Sequence, residues 1–244
     1  MIRVLLVQIR DAGDPMAEHE RRCVADRIGV DRIELETRNA LVEPARAHWA
    51  DESDAVVIGG SGDYSVHDPR SARWVAELQT LIDHLLATRR PTFAICFGHQ
   101  LLGHHLGVPV QTSEPQAELG TVSLRLTQHG ERDPLFSSLD REFAAHTGHS
   151  DHVSHLPQNV LVLAEGDRCA LQAFKHIDAP FYTTQFHPDM TGREAHDRYM
   201  AYREALAAAE RAEAKARADR FHPERDDTSV LLRRFIDLVE RGQL

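Results

Sequence analysis

The chain is poor in cysteine, in long apolar runs and in positive charge, and each shortage excludes a class of protein. Three cysteines, Cys23, Cys96 and Cys169, are odd in number and show no CxxC spacing. Neither a disulfide framework nor a zinc knuckle is expected, and a reducing compartment fits. No apolar run approaches the ~18 residues of a membrane span. The apolar start, Met1 to Val7, passes straight into a charged segment, which reads as a strand rather than a signal peptide. Lys+Arg of 28 against Asp+Glu of 38 gives a net charge of −10. That balance favours a soluble protein and argues against sequence-independent nucleic-acid binding. Sixteen histidines are present, but HExxH is absent, and His99, His104 and His105 sit at offsets of five and six, which give no paired i, i+4 ligand face. No metal site or cofactor is expected. The expected location is the cytoplasm.

What is present is an alternation of elements. With 244 residues the chain has room for one large α/β domain or two small ones, with a sizeable core. Val4 to Gln8 is a nearly continuous apolar strand, of the kind covered on both faces in a parallel sheet. Asp14-Pro15 caps a helix that stops at Gly29. Ile33 and Leu35 mark a half-exposed second strand, and Ala55 to Ile58 a third, closed by Gly59-Gly60-Ser61-Gly62. Trp74, Leu78, Leu81, Ile82 and Leu85 recur at helical spacing until Arg90-Pro91. Thr92 to Cys96 is a fourth strand, followed by a helix from Phe97 to Leu106 and then Gly107. This succession predicts a three-layer α/β fold with a mostly parallel sheet. Val122 to Leu126, Leu161 to Ala164, Cys169 to Phe174 and Phe181 to Phe186 predict antiparallel strands added to it. Glu194 to Arg220, rich in Ala, Glu and Arg, predicts one long exposed helix that leaves the sheet and serves assembly. Leu231, Leu232, Phe235, Ile236 and Val239 predict a last helix docked back on the sheet. The expected division is a domain over 1–192, a helical arm over 193–220 and the returning helix over 221–244.

Two segments carry chemistry. Cys96 ends a buried strand at the mouth of a helix, where a sharp turn exposes the thiol and the helix N-terminus favours its thiolate. The backbone N–H of Phe97 is one half of an expected oxyanion hole, and Gly60, at the end of the neighbouring strand, is the other. Cys23, on a helix, and Cys169, at a strand start, read as structural thiols. His187 and Asp189 stand at i and i+2 of an extended segment and point to one side. A cysteine nucleophile, an imidazole that takes and returns its proton, and a carboxylate that sets the tautomer make up a triad for acyl or amide transfer. A seryl hydrolase is disfavoured, because Ala94 stands where a G-x-S-x-G elbow has its first glycine.

In this combination and order the chain resembles the class I (triad) glutamine amidotransferases, especially stand-alone relatives of the GMP synthetase glutaminase domain, over about Met1 to Asp189. Gly59 to Gly62 resembles the family's oxyanion loop. Ala94 to Leu102 resembles its nucleophile elbow, and Thr184 to Asp189 the strand giving the base and its partner. Glu118-Leu119-Gly120 and Gly148 to Val153 resemble the loops lining its glutamine pocket. The resemblance implies a flavodoxin-like fold and hydrolysis of the glutamine side-chain amide through a γ-glutamyl thioester. It also implies substrate contacts at Ser61, Gln100, His149 and Ser150. The family usually has glutamate where this chain has Asp189, which predicts a His187 contact longer by about 1.5 Å if the backbone is fixed. No G-x-x-x-x-G-K-[ST] loop or synthetase domain is seen, so an ammonia acceptor is expected on another chain. The alternatives are a γ-glutamyl peptide or conjugate as substrate, a catalytically weak regulatory or binding subunit, and self-association.

Overall fold

The computed structural model describes residues 1–203 and 207–244. In chain order the first half holds β1 (Ile2–Ile9), α1 (Pro15–Ile28), β2 (Ile33–Asn39), β3 (Ala55–Ser61), α2 (Ala72–Ala87), β4 (Thr92–Ile95) and α3 (Phe97–His105). The second half holds β5 (Val110–Thr112), β6 (Glu118–Leu126), α4 (Gln128–Arg132), β7 (Glu142–His149), β8 (Asp151–Val153), β9 (Val160–Glu165), β10 (Ala173–His176) and β11 (Phe181–Thr184). It closes with α5 (Gly192–Ala201), α6 (Ala208–Ala218) and α7 (Val230–Glu240).

Nine strands form one sheet in the order β2-β1-β3-β4-β11-β10-β9-β6-β7. Side chains alternate across a strand, so β1 feeds two separate cores. Val4 and Leu6 pack with Val24 and Ile28 of α1 and with Leu231, Leu232, Phe235 and Ile236 of α7. Leu5, Val7 and Ile9 pack with Leu78, Leu81, Ile82 and Leu85 of α2 and with Leu101 and Leu102 of α3. Three layers result, as expected. Asp14 caps α1 by accepting from the Met16 N–H, and the chain turns after it at Gly29, φ 111°. Gly98 lets α3 lie close to the sheet: a Cβ there would come 3.0 Å from the Ile58 carbonyl and 2.9 Å from Ala94 Cβ.

The structure corrects several expectations. β11 pairs in parallel with β4, Thr184 opposite Ile95, and is antiparallel only to β10. It therefore ends at the same edge as β4, which brings the segment after it to Cys96. The strand expected from Cys169 starts only at Ala173, next to a register shift against β9; Gln172 still bonds its neighbours, its N–H donating to the Ala164 carbonyl and its carbonyl accepting from the Gln185 N–H. Glu118 to Gly120 is not loop but the start of β6, with Glu118 opposite His149. The single long helix over 194–220 is replaced by α5 and α6, with residues 202, 203 and 207 non-helical; the part of it at 204–206 lies outside the described residues. Nor does the segment leave the sheet. Ala195, Arg198, Ala214 and Ala218 are buried, and Thr121 of β6 donates its N–H to the Arg220 carbonyl. The apolar stripe is narrow, but it is used against β6.

Candidate active site

Cys96 follows the last residue of β4 with φ 50° and ψ −94°, a left-handed φ at a residue that carries a Cβ. Such a conformation is held only where its surroundings over-determine it. Here its N–H donates to the Thr184 carbonyl of β11 at 2.7 Å, and its carbonyl accepts from the Gln100 N–H of α3 at 3.1 Å. No side chain caps α3, so the first N–H groups of that helix, beginning with Phe97, are not taken by a cap. At the end of β3, a Cβ on Gly60 would lie 3.1 Å from His187 Cε1 and 3.7 Å from Cys96 Cβ. Glycine at this point is what lets the thiol, the imidazole and the backbone N–H converge.

Beyond β11 the chain bends at Gln185 and Phe186 and turns at Pro188 and Asp189, so His187 and Asp189 meet through a turn and not along the extended segment expected; the His187 N–H donates to the His146 carbonyl of β7 at 2.8 Å. His187 Nδ1 contacts Asp189 Oδ1 at 2.9 Å. The shorter carboxylate thus still reaches the ring, and the long contact predicted for a fixed backbone does not occur. Burial by itself disfavours the imidazolium. The charge and hydrogen bond of Asp189, followed by those of Cys96, outweigh burial and hold His187 up at about 9. For Asp189, burial pushes upward, but the charges of His187 and Arg198 prevail and keep the carboxyl far below its usual range.

Nothing in the sequence singles out Arg198. From α5, its Nη1 donates to Asp189 Oδ2 at 3.2 Å, and both side chains are buried. Its Nε and Nη2 each lie 3.3 Å from His19 Nδ1 of α1. Burial first, and the Arg198 charge second, lower His19, so that it accepts from the guanidinium as a neutral ring. Asp189 is therefore gripped at both oxygens, one by the histidine it orients and one by a cation from the segment expected to be an arm. The only signal in the chain is an arginine three residues past Ala195, on the same helical face, which does not tell a buried clamp from a solvated charge.

The other candidates are distributed as follows. Gln100 is buried, its Nε2 donating to the Asp151 carbonyl at 2.9 Å and to Gln185 Oε1 at 3.2 Å. Gln185 in turn donates to Cys96 Sγ at 3.5 Å. His149 bridges the Asp151 carbonyl and Glu118 Oε2 through its two ring nitrogens, at 2.9 and 3.2 Å. Ser61 donates to the Tyr64 carbonyl at 2.9 Å. A cleft of about 510 Å³ has His187, Ser61, His149 and Ser150 on its wall together with residues of α5 and α6. Cys96, Gly60 and Gln100 are not on that wall; Cys96, partly exposed, lies beside His187. Cys23 and Cys169 are free and buried, and burial pushes each thiol up to about 12. Among the described residues no helix is long and apolar enough to cross a membrane, and no group of three or more His, Cys, Asp and Glu is arranged to hold a metal ion.

The family model of glutamine amidotransferase class-I matches residues 21–207. The chain is 37% identical over 109 residues, 45% of its length, to a glutamine-hydrolyzing GMP synthase of Thermosipho africanus, covering 20% of that protein. It is 36% identical over 104 residues, 43% of its length, to one subunit of the glutamine-hydrolyzing GMP synthase of Pyrococcus abyssi, covering 53% of it. The chain thus spans between a fifth and about half the length of these two curated relatives. A solved glutamine amidotransferase of Thermotoga maritima superposes with a TM-score of 0.73 at 20% identity, covering 98% of this chain and 97% of the other.

Proposed function

The chain belongs to the class-I glutamine amidotransferase family, and on that premise we propose that it hydrolyses a γ-glutamyl amide, glutamine in the first instance, at Cys96. The observation that carries the reading is the buried contact of 2.9 Å between His187 and Asp189, with Cys96 beside the same ring. Cys96 thiolate adds to the side-chain carbonyl carbon, and the electron pair displaced to oxygen is met by the N–H groups of Gly60 and Phe97. His187, held up at about 9, is protonated at neutral pH and gives its proton to the leaving nitrogen as the C–N bond breaks. Water then adds to the γ-glutamyl thioester with His187 as base, releasing glutamate and restoring the thiol. In this reading His149 and Ser150 hold the amino-acid end; both line the cleft together with Ser61. Gln100 acts from behind, through Gln185 on the thiol.

Curated relatives are named as GMP synthase or as one of its subunits. We take the ammonia acceptor to be a separate synthetase-type chain, in the cytoplasm. Release of glutamate from glutamine by the purified chain, and its loss in Cys96→Ala, tests the reading. Equal release from both proteins sinks it, and silence from the wild type alone but activity with cell extract makes the partner obligatory. A γ-glutamyl conjugate as the preferred substrate is a second reading, favoured by the cleft, which is larger than one amino acid needs.

A further inference from the structure

The Arg198 fork that grips Asp189 is itself held at its other end. Nε and Nη2 of Arg198 both reach His19 Nδ1 of α1, at 3.3 Å each, while Nη1 goes to Asp189 Oδ2 at 3.2 Å. The contacts run in one line, from His19 through Arg198 and Asp189 to His187. A guanidinium carries five N–H donors and no acceptor, so in a buried place it is fixed by the acceptors that meet it. Arg198 and Asp189 are buried, whereas His19 is half-buried and so within reach of protons from solvent.

His19 accepts from Arg198 only as a neutral ring. A second proton on it would occupy Nδ1 and set an imidazolium against a guanidinium. The groups that face the ring keep it neutral. Burial lowers it first and the Arg198 charge next; Glu194 of α5 and Asp189 of the turn after β11 raise it by less, and exposed Arg22 lowers it least. Both carboxylates are committed elsewhere, Glu194 to Thr191 and Arg27, Asp189 to His187 and Arg198. Cys23, one turn on along α1, has its Sγ 3.6 Å from His19 Nδ1, and burial keeps that thiol neutral.

We propose that His19 is a positioning residue for the triad: as a neutral acceptor it holds Arg198 on Asp189, and its protonation loosens that grip and lowers turnover on the acid side. This rests on the γ-glutamyl amide hydrolysis proposed above and adds a control of the same site. No bond to carbon changes; the switch is one proton taken up at His19 Nδ1. Because the ring is held below the ordinary 6.5, the grip is complete at neutral pH and is lost as pH falls through the His19 midpoint.

NMR of the whole chain with labelled histidine follows the titration of His19, its resonance assigned by its loss in His19→Gln. The midpoint lies below 6.5 in wild type and moves up in Arg198→Ala and in Arg198→Gln, because the coupling between the two groups acts in both directions. Turnover of glutamine is then measured one pH unit above and one below that midpoint. Between these points wild type loses about fivefold more kcat than His19→Gln, whose amide oxygen accepts from Arg198 at either pH and takes no proton. At the upper pH, His19→Leu, which offers no acceptor, lowers kcat about fivefold with KM unchanged, and His19→Gln recovers most of that loss. A His19 midpoint indifferent to Arg198 overturns the proposal, as does an equal acid loss of kcat in wild type and His19→Gln. If wild type releases no glutamate at all, the hydrolysis reading fails, and the titration alone decides whether His19 holds Arg198.

Discussion

Cys23 and Cys169 are buried and pushed up to about 12, whereas Cys96 is partly open and set at a helix N-terminus. A glutamine-analogue electrophile near neutral pH is therefore expected to label Cys96 alone, as mapped by mass spectrometry. Label at either other cysteine with Cys96 untouched removes it as nucleophile. Asp189 acts on His187 mainly by charge. In Asp189→Asn that charge is gone and only Cys96 is left to oppose burial, so the imidazolium no longer persists up to about 9. The high-pH limb of the glutaminase profile moves to lower pH, and turnover at pH 8 drops on the order of a hundredfold. A limb that stays in place means that His187 does not supply the proton. Both Asp189 oxygens are already engaged within 3.2 Å, so Asp189→Glu lowers activity by pushing a methylene into that grip; a rise in activity means the short carboxylate is a handicap.

At the scale of the element, α5 does what its composition did not advertise. It delivers Arg198 to Asp189 and starts from a capping box between Thr191 and Glu194. Arg198→Ala leaves a buried carboxylate with one partner instead of two. Turnover of glutamine is expected to fall about tenfold with little change in KM, and Arg198→Lys recovers part of it, because a point charge reaches one oxygen without the fork. A variant that loses kcat and KM together assigns α5 to substrate binding instead. The element α3 depends on Gly98 for its closeness to the sheet. Gly98→Ala, with a Cβ 3.0 Å from the Ile58 carbonyl, costs about 1–3 kcal/mol of stability by overpacking, read as a lower urea midpoint. Turnover falls as well, since the same helix positions Cys96.

For the molecule as a whole, the His187–Asp189 pair links stability to pH in a definite window. His187 is raised from the ordinary 6.5 to about 9, so its contribution is complete below about 6.5 and is lost as pH rises through 9. Asp189 is depressed from 3.8, so its contribution is present above about 4 and is lost as pH falls further. Urea midpoints of wild type minus Asp189→Asn are expected to differ most between pH 4 and 6.5 and to narrow toward pH 10, where the pair with Arg198 still holds Asp189; a flat difference shows the His187–Asp189 pair to be unlinked to folding. The sheet's parallel half, the helices on its two faces and the strand-to-helix turn at Cys96 were legible in the sequence, because strand alternation, caps and turn glycines act over a few residues; the extended segment expected at His187 to Asp189 is a turn instead. What only the tertiary structure decided is non-local. Parallel pairing of β11 with β4 depends on a neighbour more than 80 residues away and leaves no period in the chain. The same holds for the fold of residues 192–220 over the cleft. An Ala- and Arg-rich stretch has the same local propensity whether its arginines meet water or a buried carboxylate, and only packing against β6 and α1 brought Arg198 onto Asp189.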